Sequence, residues 1–213
     1  MNNKEITLND KLEIIHSYGV NLETSTVYIA GEIDGAANIS LRMKIDMIKE
    51  YCRHITKPLT ELNLVISSPG GDATAITAMM DLYDSLLREG IKTNILTEGI
   101  CYSAATFFVA CAPGVRTAGR RARFLVHELQ IRGVEGTHTQ TKAFQKELTI
   151  LNDDMLEVYT ECTLKKRGAY LDGKTPSDKE FEKVYKDWEK KCQNETYLSA
   201  EQAQELGLID EIV

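Results

Sequence analysis

The sequence predicts a single α/β domain with parallel strands. Short apolar runs closed by glycine, proline or charged residues alternate with stretches in which apolar residues recur every three to four positions. The first pattern is typical of buried strands and the second of amphipathic helices. Their regular alternation favours parallel strands joined by right-handed helical crossovers. A length of 213 residues suits one domain with a substantial core.

The alternation begins at residue 26 and continues to residue 127. Apolar runs predict strands, and helical spacing with caps predicts the helices between them. Asp72 is the expected N-cap of the second helix and Gly90 its stop. In chain order, the predicted elements are a strand at 26–31, a helix at 39–52, a strand at 62–67, a helix at 72–90, a strand at 93–98, a helix at 103–112 and a strand at 123–127.

The pattern changes after His127. Residues 131–140 contain glycine but no proline and are expected to form an extended arm, followed by a long helix over 141–167. A turn-rich connection and a charged helix come next. At the end of the chain, Ser199 and Gln202 form a capping box, and a short strand is expected after the final helix.

Composition and charge exclude several classes of protein. A net charge of −7 argues against a general nucleic-acid binder, because no basic field would attract phosphates. No apolar run is long enough to span a membrane, and the first residues do not resemble a secretory signal. The five cysteines lack CxxC spacing, and the histidines lack metal-ligand spacing. We therefore expect a cytoplasmic protein with no disulfide framework, no metal and no cofactor.

Three strand ends carry residues suited to hydrolysis. The second strand leads into Pro69-Gly70-Gly71, the third into Ser103, and the fourth ends on His127. Sites in open α/β sheets form beyond the carboxyl ends of strands, so these residues are expected to lie together. Histidine is the usual base that activates a serine, and backbone N–H groups can stabilise the oxyanion that forms. The N–H groups of Gly71 and Ala104 are the candidate donors.

Each of these features also has an interpretation without catalysis. A serine at the start of a helix is more often an N-cap than a nucleophile. His127 can be a structural residue at a strand end, and Ser68-Pro69-Gly70-Gly71 can be an ordinary turn. Residues 101–105 also lack the GxSxG motif of α/β-hydrolases. The residues alone favour serine hydrolysis without deciding for it.

Four segments resemble the proteolytic subunit of Clp protease, the ClpP family. Their order and the 24 positions between Ser103 and His127 are similar to those of the family, and the similarity extends over residues 26–213. The segments are SSPGGDATAITAMMDLYDSL (67–86), GICYSAATFFVACA (99–112), RARFLVHELQ (121–130) and LSAEQAQELGLIDEIV (198–213).

The resemblance implies a fold and a set of roles. The fold would be the spiral of β-α units that this family shares with crotonase-like proteins, with a protruding helical handle at about residues 131–167. The implied roles are Ser103 as nucleophile, His127 as general base and then general acid, Gly71 and Ala104 as oxyanion donors, and Gly70 with the segment after His127 as the flanks of an extended peptide.

The acid of the implied triad differs from the family pattern. Three residues before Leu198, where the family has aspartate, this chain has Glu195. Glutamate is longer by one methylene and needs a different backbone placement to reach a histidine. Asp172 and Asp178, in the turn-rich connection, are the alternatives. Residues 1–25 form a divergent N-terminal segment that does not match the family's axial and docking region.

The implied function is that of a self-compartmentalised serine endopeptidase. Its substrates would be peptides or unfolded proteins, and its chains would form a homo-oligomer of heptameric rings, either single or stacked. The chain lacks a GxxxxGK[ST] phosphate loop, so a separate AAA+ ATPase would supply the unfolding. The main alternative is a non-catalytic or weakly catalytic ring subunit. Two others are a specialised processing protease and an acyl-CoA enzyme of the same spiral fold.

Overall fold

The computed structural model describes residues 6–130 and 136–213. Residues 1–5 of the N-terminal segment and 131–135 of the predicted arm therefore lie outside the described residues. The strands are β1 (Val20–Asn21), β2 (Thr26–Ala30), β3 (Glu61–Ser68), β4 (Lys92–Tyr102), β5 (Arg116–Ala118), β6 (Arg123–Val126), β7 (Thr196–Ser199) and β8 (Glu211–Ile212). The helices are α1 (Leu8–Tyr18), α2 (Gly35–His54), α3 (Ala73–Arg88), α4 (Ala104–Ala110), α5 (His138–Lys166), α6 (Asp178–Gln193) and α7 (Ala200–Glu205), with a 3-10 turn at Leu171–Gly173.

The strands form a mostly parallel sheet, and the predicted α/β class is confirmed. Its order is β1-β2-β3-β4-β5-β8, with β6 paired to β4 and β7 paired to β6. Among the described strands, the β1–β2 and β6–β7 pairs are antiparallel and the others are parallel. The antiparallel β7 was not predicted, because its residues form no apolar run.

Strand β4 serves two parts of the sheet. Its first half, Ile95–Thr97, pairs with β5, and its second half, Ile100–Tyr102, pairs with β6. The pairing of β3 with β4 shifts register between these halves. The second half therefore carries a small sheet of β4, β6 and β7, and this small sheet holds most of the candidate site.

The core lies on one face of the sheet. In β3, Leu62, Leu64 and Ile66 are buried, whereas the alternate residues are half-buried. Helices α2 and α3 turn an apolar stripe toward this face, and α4 is buried along its whole length. Asp72 caps α3 by accepting a hydrogen bond from Thr74 N–H, as predicted.

Helix α5 is the longest element and projects from the domain. Its first described buried residue is Met155, and the turns before it are mostly exposed. The helix begins at His138, three residues before the predicted start, because Thr137 and Gln140 form a capping box. Residues 138–140 are therefore helical rather than part of an extended arm. No helix within the described residues combines the length and hydropathy needed to cross a bilayer.

The C-terminal strand is joined to the sheet by a partly buried ion pair. Asp210 accepts two hydrogen bonds from the Arg116 guanidinium, at 2.6 Å and 3.1 Å, and a third from the Arg116 backbone N–H at 2.9 Å. Burial alone would raise the pKa of the Asp210 carboxyl. The hydrogen bonds and charge of Arg116 outweigh burial and hold that pKa below its ordinary value.

Candidate active site

Ser103 occupies a strained turn between β4 and α4. Its backbone has φ 58° and ψ −129°, a left-handed conformation that residues other than glycine rarely adopt. Although Ser103 stands at the N-cap position of α4, its hydroxyl makes no capping hydrogen bond. The N-cap interpretation of this serine therefore lacks the bond that would explain it. Backbone strain of this kind costs about 1–3 kcal/mol and is concentrated at functional sites.

The residues around Ser103 hold this turn in place. The Ser103 N–H donates to the Leu125 carbonyl oxygen at 2.8 Å, which continues the pairing of β4 with β6. The buried Thr106 hydroxyl lies 2.7 Å from the Cys101 carbonyl oxygen and 3.1 Å from that of Leu125. Ala104 is small and buried, so α4 can begin directly against the sheet. Tertiary contacts thus enforce the strained φ.

His127 follows the last residue of β6, beside the end of β4. It is half-buried, and its Nδ1 lies 2.6 Å from the Glu128 carbonyl oxygen. A carbonyl oxygen only accepts hydrogen bonds, so Nδ1 must carry the proton and donate it. The tautomer that results leaves Nε2 as a free acceptor, which is the form required of a general base. No hydrogen bond joins Ser103 to His127 in the described structure.

Gly70 lies directly against the candidate nucleophile. A Cβ atom at Gly70 would stand 2.5 Å from the Tyr102 carbonyl oxygen, 2.7 Å from Ser103 Cβ and 3.3 Å from Ala104 N. Gly70 also has φ +98°, which favours glycine. The backbone after β3 therefore approaches the head of α4 as closely as only a glycine permits.

The N–H group of Gly71 points toward this same region. Ile33 pairs with Gly71 through the two neighbouring residues: the Ile33 N–H donates to the Gly70 carbonyl oxygen, and the Asp72 N–H donates to the Ile33 carbonyl oxygen. In a parallel bridge of this kind, the central residue turns its own N–H to the opposite side. That side faces β4 and Ser103. The Gly71 N–H is therefore turned away from Ile33, and its role as an oxyanion donor stays a prediction.

Glu195 immediately precedes β7, and the register of the sheet, continued one residue beyond the paired strands, would set it opposite His127. The pairs Val126–Thr196 and Leu125–Tyr197 fix this register. The Glu195 carboxylate does not contact His127, however. Its Oε1 accepts a hydrogen bond from Gln130 Nε2 at 3.2 Å, and its backbone is left-handed with φ 48°.

The two alternative acids lie outside the strand pairs next to His127. Asp172 is an exposed residue of the 3-10 turn, and Asp178 is the first residue of α6. Helix α6 ends at Gln193, next to Glu195. At 1.5 Å per residue, Asp178 stands about 22 Å from that end of the helix. Glu195 is therefore the better placed of the three carboxylates.

The segment after His127 is held by both neighbouring helices. The Glu128 N–H donates to the Cys192 carbonyl oxygen at 3.3 Å, and the Leu129 N–H donates to Asn152 Oδ1 at 3.3 Å. Cys192 belongs to α6 and Asn152 to α5. No role was predicted for Asn152 or Gln130, since an isolated amide side chain carries no local signal of its partner.

The remaining candidates for chemistry at this place are a nearby cysteine thiol and a bound metal ion. Cys101 lies two residues earlier in β4, but burial raises the pKa of its thiol to about 12. The thiol is therefore protonated at neutral pH and is a poor nucleophile. Among the described residues, no group of three or more histidines, cysteines and carboxylates is placed to hold a metal ion.

Comparison with known proteins identifies the family of the chain. The model of the Clp protease family matches residues 15–213. The ATP-dependent Clp protease proteolytic subunit 1 of Protochlamydia amoebophila (strain UWE25) is 25% identical over 195 residues, which cover 90% of this chain and 82% of that protein. The family match includes the Ser103 turn, the end of β6 and the C-terminal segment. The chain belongs to the Clp protease family.

Proposed function

We propose that this chain is a serine endopeptidase in which Ser103 is the nucleophile and His127 the general base. One observation carries the proposal: a strained serine with no capping bond stands at the end of β4, beside a histidine whose Nε2 is free to accept a proton. A serine that served only to cap α4 would adopt an extended backbone and bond to the helix. Family membership supports the same conclusion.

The reaction follows from these groups. Ser103 Oγ attacks the carbonyl carbon of the scissile peptide bond while its proton passes to His127 Nε2. The oxyanion that forms accepts hydrogen bonds from the N–H groups of Gly71 and Ala104. His127 then protonates the leaving amine, and it later activates the water that hydrolyses the acyl-enzyme. Gly70 and the segment after His127 flank the extended peptide.

Glu195 is the proposed acid of the triad. The register that, continued by one residue, would set it opposite His127 supports this role. For a carboxylate oxygen to accept the hydrogen bond of His127 Nδ1, the Glu195 side chain must turn from Gln130 toward the histidine, and Nδ1 must leave the Glu128 carbonyl. Once made, that bond would fix the ring and stabilise the imidazolium that forms during attack.

The assembly and its partners are carried over from the family resemblance. We propose a homo-oligomer of heptameric rings that encloses the sites, with peptides or unfolded proteins as substrates. A separate AAA+ ATPase would feed the chamber, since this sequence has no phosphate loop. The projecting first half of α5 suits contact between rings. Five free cysteines, mostly buried, suit the reducing cytoplasm.

The experiment is intact-mass labelling with a fluorophosphonate. The native protein should gain one adduct, and Ser103→Ala should gain none. His127→Ala should label at least about a thousandfold more slowly, because the hydroxyl loses its base. Ser85→Ala, on α3, is the control and should label like the native protein. An adduct that persists in Ser103→Ala would contradict the proposal.

One observation favours a second candidate, a ring subunit with a structural role. Glu195 makes its hydrogen bond to Gln130 rather than to His127. If the acid never aligns, catalysis is weak. Native protein that is fully assembled by light scattering, yet gains no adduct and cleaves no peptide, would establish this candidate in place of the first.

A further inference from the structure

We propose that Gln130 is a positioning residue that holds Glu195 away from His127, so that alignment of the triad is a separate step. The inference rests on the proposed function, since it concerns the acid and base of that site. It assigns a role to a side chain outside the proposed catalytic groups. Three observations support it.

The first observation is the hydrogen-bond partner of Glu195. If the pairing of β6 with β7 continued by one residue, position 195 would stand opposite His127, and opposite Cβ atoms in a regular antiparallel pair are about 4.5–5.5 Å apart. The carboxylate instead lies 3.2 Å from the Gln130 amide nitrogen. The left-handed backbone of Glu195 takes its side chain out of the strand alternation and toward that amide.

The second observation is that His127 Nδ1, the nitrogen that would bond to the triad acid, already has another hydrogen-bond partner. Nδ1 is the atom whose proton a triad acid accepts, and it already donates to the Glu128 carbonyl oxygen at 2.6 Å. Both substitute partners, the carbonyl of residue 128 and the amide of residue 130, belong to the segment just after the histidine. One movement of this short segment would therefore release the acid and the base together.

The third observation is how this segment is anchored. The N–H groups of Glu128 and Leu129 bond at 3.3 Å to Cys192 of α6 and Asn152 of α5. Both distances lie just beyond the usual range for N–H···O bonds, so these bonds are weak. The backbone hydrogen bonds from this segment to the two helices are thus weak, and Leu129 adds apolar packing against the core. The Gln130–Glu195 bond is one more restraint on the segment.

Removal of the Gln130 amide should therefore increase catalysis. Gln130→Met has nearly the same length and lacks the donor, so Glu195 can turn toward His127. A hydrogen bond of this class shifts an equilibrium by about three- to tenfold, and kcat should rise by that factor with KM unchanged. The substrate is a short fluorogenic peptide, and the enzyme is the full chain in its assembled state. Gln193→Met, at the exposed end of α6, is the matched control and should leave kcat unchanged.

A double-mutant cycle separates this role from a general structural effect. In Glu195→Gln there is no carboxylate to release, so adding Gln130→Met should give no further increase. Gln130→Glu is a second variant of the same length; its charge repels Glu195, so it should raise kcat as well. Light scattering and thermal melting check that each variant assembles and folds like the native protein.

Each result has a distinct meaning. The inference is overturned if kcat is unchanged or lower in both Gln130 variants, or if Gln130→Met gives the same increase with and without Glu195. If peptide cleavage persists in Ser103→Ala, the proposed function itself fails, whatever the Gln130 variants do. A selective increase in kcat that requires Glu195 would establish Gln130 as the residue that restrains the acid.

Discussion

The contact between Gly70 and Ser103 yields the sharpest prediction. In Gly70→Ala, the new Cβ atom would lie 2.5 Å from the Tyr102 carbonyl oxygen and 2.7 Å from Ser103 Cβ, where ordinary contacts begin at 3.4 Å. The backbone after β3 and the Ser103 turn must therefore separate by about 1 Å. The proposed nucleophile lies on one side of this contact, and the proposed Gly71 donor lies on the other.

The expected effect has two parts. A left-handed backbone at φ +98° costs alanine about 1–2 kcal/mol, which lowers the free energy of unfolding. Displacement of the proposed nucleophile from the proposed oxyanion donor by about 1 Å should cost about a hundredfold in rate. The loss of activity should therefore be much larger than the loss of stability would explain.

The assay combines the rate of fluorophosphonate labelling with urea denaturation. The matched control is Gly90→Ala, because Gly90 has a similar left-handed φ of +77°, but a Cβ atom added there would meet no other atom within 4 Å. The control should lose comparable stability and keep its labelling rate. If Gly70→Ala labels at the native rate, the close approach of the glycine to Ser103 has no catalytic importance, and our account of the oxyanion site is refuted.

Three further predictions concern stability and reactivity. Asp210→Asn should lower the free energy of unfolding by about 1–2 kcal/mol at pH 7, because the bonds of the carboxylate to Arg116 are weakened. Since the pKa of Asp210 is lowered in the folded protein, the native protein should keep this extra stability above about pH 4 and lose it as the pH falls through the lowered pKa. Urea titrations at several pH values measure this difference. Thr163→Val should cost about 1–3 kcal/mol in thermal melts, because the buried Trp188 indole N–H loses its acceptor at 2.9 Å, whereas Thr163→Ser should cost less. Cys101 should resist iodoacetamide at pH 8 in the folded protein and react after denaturation, since burial raises its pKa to about 12; rapid alkylation of folded protein, seen by mass spectrometry, would contradict this.

Local sequence patterns were sufficient for the main strands and helices. Leu62, Leu64 and Ile66 form a buried run whose apolar character is visible in the sequence, and the caps at Asp72 and Ser199 lie where the residue types indicate. Strand β7 was not foreseen, because it exists by pairing with β6 and has one buried side chain, Leu198. Its assignment depends on a contact that is distant in sequence.

The candidate site could likewise be predicted only in part. Residue types and order indicated Ser103, His127 and the glycine turn, because hydrolysis requires those groups at strand ends. The left-handed φ of Ser103 could not be predicted, since contacts with Leu125 and Thr106 impose it. The partner of Glu195 could not be predicted either, because an exposed carboxylate can bond to any donor that the fold brings near.

The divided pairing of β4 has a mechanical consequence. Ser103, His127 and Glu195 all stand on the small sheet of β4, β6 and β7, whereas Gly70 and Gly71 follow β3 of the larger sheet. A tilt of the small sheet as a rigid plate would preserve the spacing among the three backbone positions. The same tilt would open or close the gap to the Gly71 amide. Because Ser68 pairs with Cys101 and Gly70 packs against Ser103, such a tilt must shift both contacts. The spacing between the proposed proton-transfer groups and the proposed oxyanion amide is therefore set where β3 meets the second half of β4.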